Sequence, residues 1–173
     1  MFYKRKLNLY NLTGHLSRGR QGYCMLWHEG QAGRGGNDIA SAVVEMLNKV
    51  VQQEPVTELI LWADSCVPQN RNSMMSVALL KFLTQQTQLN KLMQKFCEPG
   101  NSSIQEVDNL HSQIERSLRY TEVFSPLGVM RLMLSVNRRK PLNVTHMIPS
   151  HFLQFGSVAK SMKFGLIPYS KIK

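Results

Sequence analysis

Apolar and polar positions follow more than one rhythm along this 173-residue chain. In YKRKLNLYNL (3–12), Leu7 and Leu9 alternate with polar neighbours, and Tyr23–Trp27 is a short apolar run. Between them, Gly14 to Gly22 is rich in Gly, Arg and Ser, so the pattern predicts a β-hairpin with a long basic loop. Ile39, Val43, Met46, Leu47, Val50 and Val51 then recur at helical spacing up to Gln53. Asn37 is placed to cap that helix, Asp38 suits its first turn, and Pro55 ends it. The consecutive apolar residues Leu59, Ile60, Leu61 and Trp62 predict a buried strand that ends at Ala63. The pattern next predicts a helix from Ser73 to Thr87, a strand over Leu92–Phe96, a turn at Glu98-Pro99-Gly100, and a helix from Ser103 to Arg119. Further on it predicts a helix over Leu127–Val136, a strand over Asn143–Ile148 and a short helix over Ser150–Phe155, with Pro141, Pro149 and Pro168 as punctuation.

A hairpin followed by alternating helices and strands argues for an α/β fold with helices on the faces of a mixed sheet. The length suits one domain with a substantial core. The expected organisation is a core over residues 1–125 and a basic C-terminal extension over 126–173 packed on it. No apolar run approaches the roughly 20 residues that span a bilayer. MFYKRKLNLY has charges but no apolar stretch after them, so it does not read as a signal peptide. Cys24, Cys66 and Cys97 are odd in number and widely spaced, and read as buried thiols rather than a disulfide framework or a CxxC metal site.

Charge changes the picture. The formal net charge is +10. It is concentrated at the two ends: from Met1 to Gly36 six basic residues face one acid, and from Tyr120 onward eight face one. A polyanion partner is the natural reading, since Lys and Arg contacts to phosphate dominate nucleic-acid affinity; a solvated basic surface is the alternative. Candidate nucleic-acid contacts are Lys4, Arg5, Lys6, Arg34, Arg71, Arg138, Arg139 and Lys140. GQAGRGG (30–36) has neither the GxGxxG nor the GxxxxGK[ST] spacing of a phosphate loop. Asn137-Arg138-Arg139-Lys140 gives a faint nuclear-localisation signal.

Asp64 is delivered by the strand end, where ligands bind in open α/β sheets. On the helix from Ser103, at about 100° per residue, Asp108, His111 and Glu115 fall inside about 60°, beside Val107 and Ile114 on the apolar side. A charge there is costly unless a metal or a cation pairs with it. Asp64, Asp108 and Glu115 are therefore candidate catalytic acids, with Asp64 and Asp108 as ligands for Mg²⁺ or Mn²⁺, hard ions suited to oxygen donors and to phosphodiester chemistry. Asp64 could instead cap its own loop through an Asx turn, and Asp108 and Glu115 could be a solvated helix flank. Gln69, Asn70, Asn72 and His111 are candidates for orienting these acids or contacting substrate. His15, His146 and His151 show no zinc-binding spacing.

Three strings carry a resemblance: WHEGQAGRGGNDIAS (27–41), ADSCVPQNRNS (63–73) and KFCEPGNSSIQEVDNLHSQIE (95–115). They resemble a multicopy animal domain family associated with transposable elements, whose members show W-x-E-x-x-A-x-R-G-x-x-E-I-A-S, D-x-C-x-G-Q-N-x-N and F-x-x-P-G-H-[ST]-x-x-x-x-D-x-x-H-x-x-I-E. The similarity runs from residue 2 to about 155. That family in turn resembles the RNase H-like fold of DDE transposases and integrases. The resemblance implies that Asp64 matches the acid at the end of the fourth strand, that Asp108 or Glu115 matches the helix acid, and that Gln69 and Asn70 belong to the polar loop between. It also implies that the first strand, with the first acid of the triad, is absent ahead of FYKRKLNLYN, which leaves unpaired strand edges. Asn101 replaces the family histidine, and Val67-Pro68 replaces a glycine-containing pair. The function so implied is that of a catalytically impaired, DNA-binding relic of a transposase. An active Mg²⁺-dependent strand-transfer or nuclease domain, or a protein-interaction module, are the alternatives.

Overall fold

The structure, a computed structural model, describes residues 7–64, 66–97 and 106–162. Lys4, Arg5, Lys6, the Glu98–Gly100 turn, Asn101 and the last residues of the basic extension lie outside them.

The chain opens with strands β1 (Leu9–Leu16) and β2 (Gln21–His28), paired antiparallel from Leu9↔His28 to Leu16↔Gln21. The hairpin loop is shorter than the Gly14–Gly22 stretch suggested. Gly14 stays in β1, where Met46 lies over the space a Cβ would fill, and Gly19 turns the chain at φ +78° within a 3-10 turn over Arg18–Arg20. Helix α1 (Gly36–Gln53) follows. Its start is not capped by Asn37 as the sequence suggested. The Asp38 carboxylate accepts the Gly35 N–H at 2.9 Å instead. Then come β3 (Glu58–Ala63), α2 (Ser73–Gln85), β4 (Lys91–Phe96), α3 (Glu106–Arg119), α4 (Pro126–Ser135), β5 (Asn143–His146), a 3-10 turn at Pro149–His151 and α5 (Gly156–Ser161). Sequence periodicity gave no sign of α5, because six residues hold too few positions to display one.

The strands form two sheets. The first is mixed, in the order β1-β2-β5, with β5 parallel to β2. The second is the parallel pair β3-β4, in register from Glu58↔Lys91 to Ala63↔Phe96. One apolar layer underlies both: Tyr23, Met25 and Trp27 of β2 and Leu59 of β3 pack with Ile39, Val43 and Leu47 of α1 and Met75, Val77 and Phe82 of α2. A second cluster covers the opposite face of the first sheet, where Cys24 and Leu26 meet Leu110 and Ile114 of α3 and Met133 of α4. The opposite face of the β3-β4 sheet carries Ile60, 47% exposed, and Trp62, 61% exposed. The four apolar residues that suggested a strand buried on both faces thus form one buried on a single face.

Residues 126–162 supply structural parts of the domain. β5 joins the first sheet, and Leu142, Met147 and Phe155 are buried. Asn37 fastens this stretch: its Oδ1 accepts the N–H groups of Phe155 (2.9 Å) and Gly156 (3.1 Å), and its Nδ2 donates to Gln154.

Of the three cysteines only Cys24 is fully buried; Cys66 and Cys97 are half-buried. Burial pushes the Cys24 thiol up to about 11, while its hydrogen bond with Thr13 pulls the other way. Because the thiolate is the reactive form, Cys24 in the folded chain should stay unmodified by a disulfide reagent at mildly alkaline pH and react only once denaturant is added. Mass spectrometry of the Cys24 peptide reads this directly, and rapid labelling of the native protein would contradict the packing described.

Candidate functional site

Asp64 stands immediately after β3, exposed, at the mouth of the loop that leads to α2. The loop is organised around two acceptors. The Cys66 carbonyl receives the N–H groups of Gln69, Asn70 and Arg71 at 2.8–3.2 Å. Asp64 Oδ1 receives the Cys66 N–H at 3.3 Å and the Asn70 side-chain amide at 2.5 Å. This is the Asx-type role foreseen as an alternative for Asp64. Asn72 closes the loop and starts α2. Its Oδ1 accepts the Met75 N–H at 2.9 Å, and its Nδ2 donates to the carbonyls of Val67, Pro68 and Gln69. Asn72 therefore acts as a helix cap and loop clamp. Gln94 of β4 ties down the Asn70 carbonyl at 2.9 Å.

The helix acids are oriented differently from the expectation. The buried residues of α3 are Leu110 and Ile114, with Val107, His111 and Ser117 half-buried beside them. Asp108 and Glu115 lie on the flank of that stripe and are exposed. The physical reason is steric: aliphatic side chains at a heptad-like spacing fill the contact with Cys24 and Leu26, which leaves the carboxylates one position off. α3 packs against β1 and α4, on the first sheet, whereas Asp64 belongs to the second. Among the described residues, no group of three or more His, Cys, Asp or Glu side chains gathers in a way that could hold a metal ion. One Asp64 oxygen, Oδ1, is engaged by its own loop.

The basic candidates sit on separate loops. Arg34 is exposed ahead of α1, and Arg138 and Arg139 are exposed between α4 and β5. Lys140 is half-buried, with its backbone N–H on Asn137 Oδ1 at 3.1 Å. Arg71 lies 5.8 Å above the Phe96 ring, and Lys95 5.0 Å above the Trp62 ring. A surface cleft of about 470 Å³ on the α3–α4 connection is lined by Phe124, Arg131 and Leu132 among others, and includes none of the candidate site residues.

One polar cluster escaped the sequence reading because its members are far apart in the chain. Glu106, at the start of α3, accepts the Ser17 hydroxyl at 2.8 Å and lies 2.6 Å from His15 Nδ1. The Ser17 hydrogen bond, followed by the His15 contact, holds the Glu106 carboxyl below the usual range. A carboxylate with a lowered folded-state value adds stability above about pH 4, and that contribution disappears as pH falls through the lowered value. Glu106→Gln should therefore flatten the acid limb of the melting temperature against pH and leave the neutral region nearly unchanged. An acid limb identical to that of the parent would remove Glu106 from this role.

Comparison of the chain with family models, curated proteins and solved structures gives no match.

Proposed function

We propose that this chain is a transposase-derived, RNase H-like domain that binds DNA and is catalytically impaired. Two features support the reading. The order of a hairpin, then helix, strand, helix, strand and helix, is compatible with an RNase H-like fold. Asp64 follows β3, the position that the resemblance gives to the fourth-strand acid. The observation that carries the impaired half of the proposal is the commitment of Asp64 Oδ1 to the Cys66 N–H and Asn70. In this reading Mg²⁺ or Mn²⁺ is no longer a resident cofactor, Asp108 and Glu115 are exposed residues on the flank of α3, and Gln69, Asn70 and His111 are structural. Arg34, Arg71, Arg138, Arg139 and Lys140 supply phosphate contacts, and the nucleus is the matching compartment.

The test is a titration of labelled duplex DNA followed by fluorescence anisotropy, with and without Mg²⁺, beside a nicking assay. Binding independent of Mg²⁺, unaltered in Asp64→Asn, with no cleavage, is the expected result. Mg²⁺-dependent cleavage that Asp64→Asn abolishes would overturn the impaired reading and favour an active nuclease. Absence of DNA binding would overturn the reading altogether.

A further inference from the structure

The connection between α3 and α4 is pinned at both ends. α3 docks on the first sheet through Leu110 and Ile114, and α4 through Met133. The Thr121 N–H returns to the Leu118 carbonyl at 3.4 Å, which closes the end of α3. At the start of α4 the Ser125 hydroxyl accepts the Gly128 N–H at 3.1 Å, and Pro126 opens the helix. Val123 lies over Gly128 so closely that a Cβ there would stand 2.7 Å from its Cγ1. With Val123 turned onto the helix, the next residue, Phe124, is left 91% exposed. Tyr120, one residue beyond α3, is 80% exposed. Neither ring belongs to either apolar cluster, so the fold itself makes no use of them.

The cleft of about 470 Å³ lies at this connection. Phe124 and Leu132 give it an apolar wall, Arg131 a cation and Glu122 a carboxylate. Arg116 and Arg119 stand exposed in the last turn of α3, just ahead of Tyr120. Among the described residues, no carboxylate pairs with any of these three guanidiniums. Flat rings beside unpaired guanidiniums match the two halves of a nucleotide: the ring stacks on a base face, and the guanidinium fork fits a phosphate. A protein surface seated on the rings would have to desolvate or match three cations, whereas a nucleic-acid strand brings an anion with every residue. In a duplex the base faces are already stacked on one another. Rings of this kind therefore serve unpaired bases.

We infer that the α3–α4 connection is a binding site for a single-stranded, unpaired segment of nucleic acid. Tyr120 and Phe124 each stack one base. Arg131, with Arg116 and Arg119, contacts the flanking phosphates. Glu122 offers an acceptor to the amino group of a base, as acidic side chains do for cytosine. The inference rests on the DNA-binding reading for the class of ligand alone. Its residues differ from the phosphate contacts proposed above, and it concerns single strands, so the two are separable by experiment.

The test follows fluorescence anisotropy of three labelled probes titrated with the full chain. They are an oligodeoxycytidine of about ten residues, within the usual span of single-strand sites, an abasic strand of the same length, and a duplex. The oligodeoxycytidine should bind ~10-fold or more tightly than the abasic strand, which carries the same phosphates and no base faces. Tyr120→Ala and Phe124→Ala should each weaken oligodeoxycytidine binding by ~5–150-fold, the range for losing one stacking ring. Binding of the abasic strand and of the duplex should not change, nor should the melting temperature, because both rings are exposed. Phe124→Trp should keep the affinity, and Arg131→Gln should weaken both single strands alike. The inference is overturned if oligodeoxycytidine binds no better than the abasic strand, or if the variant lacking both rings binds it normally. It is also overturned if sedimentation shows self-association that Phe124→Ala abolishes while no preference for bases is seen, because a second copy would then cover the rings. Loss of duplex binding with the preference for oligodeoxycytidine intact supports this site and counts against the duplex contacts instead.

Discussion

Trp27→Ala is expected to lower the free energy of unfolding by about 3–5 kcal/mol, the range for deleting a buried large aromatic side chain. Trp27 is 1% exposed. Its ring packs between Tyr10 of β1, at 5.7 Å between centroids, and Phe152 in the segment before α5, at 5.8 Å. Its indole N–H donates to the Gly33 carbonyl at 2.8 Å, which holds the loop ahead of α1. One side chain thus joins the hairpin, the helix entry and the C-terminal stretch, and truncation leaves a cavity where all three meet. Since small domains are stable by only about 5–15 kcal/mol, this loss removes a large share of the total stability. Trp27→Phe keeps most of the contact and loses the hydrogen bond, with a cost nearer 1–2 kcal/mol. Urea unfolding followed by circular dichroism measures both. A Trp27→Ala loss under about 1 kcal/mol would mean that the three segments are not joined there.

The second large effect is the salt dependence of DNA binding. If Arg34, Arg71, Arg138, Arg139 and Lys140 each neutralise one phosphate, the logarithm of affinity should fall with the logarithm of salt at a slope of about −4.5, a loss of ~500-fold between about 50 and 200 mM. Changing Arg138 and Arg139 together to glutamate removes two contacts, which should reduce the slope by about 2 and weaken binding to unrelated sequences alike. Both side chains are exposed, so stability should change little. The comparison separates a phosphate-tracking surface from a net positive charge that merely attracts counterions. Affinity indifferent to salt would remove the electrostatic account.

How much of this was legible in the sequence depended on the range of the interactions involved. β3, α1 and α2 begin and end close to where the pattern put them, because apolar spacing and a flanking residue such as Pro55 are local signals. The bounds of β1 were less clear: Gly14 and His15 look like loop residues, and only their pairing with Tyr23 and Gly22 keeps them in a strand. Asn37 has the composition of a cap, but its side chain is taken by Phe155 and Gly156, a choice made by tertiary structure. The candidate site divides in the same way. Asn70 and Asn72 cluster with Asp64 because all belong to one loop. Helical geometry put Asp108 and Glu115 on one side of α3 but could not say which residues dock; Leu110 and Ile114, with larger apolar area to bury, set the rotation. The division into two sheets has no local signature, since it is a property of which strand edges meet.

The parallel pairing of β2 with β5 has a cost during biosynthesis. Tyr23 pairs with Asn143, a sequence separation of 120. At translation speeds of about 5–20 residues per second, β2 waits roughly 6–24 s before its outer partner has even been made. Throughout that interval the nascent hairpin offers a ready template to any other unfinished chain nearby. Yield in a cell should therefore respond to ribosome-associated chaperones more strongly than equilibrium stability alone would suggest.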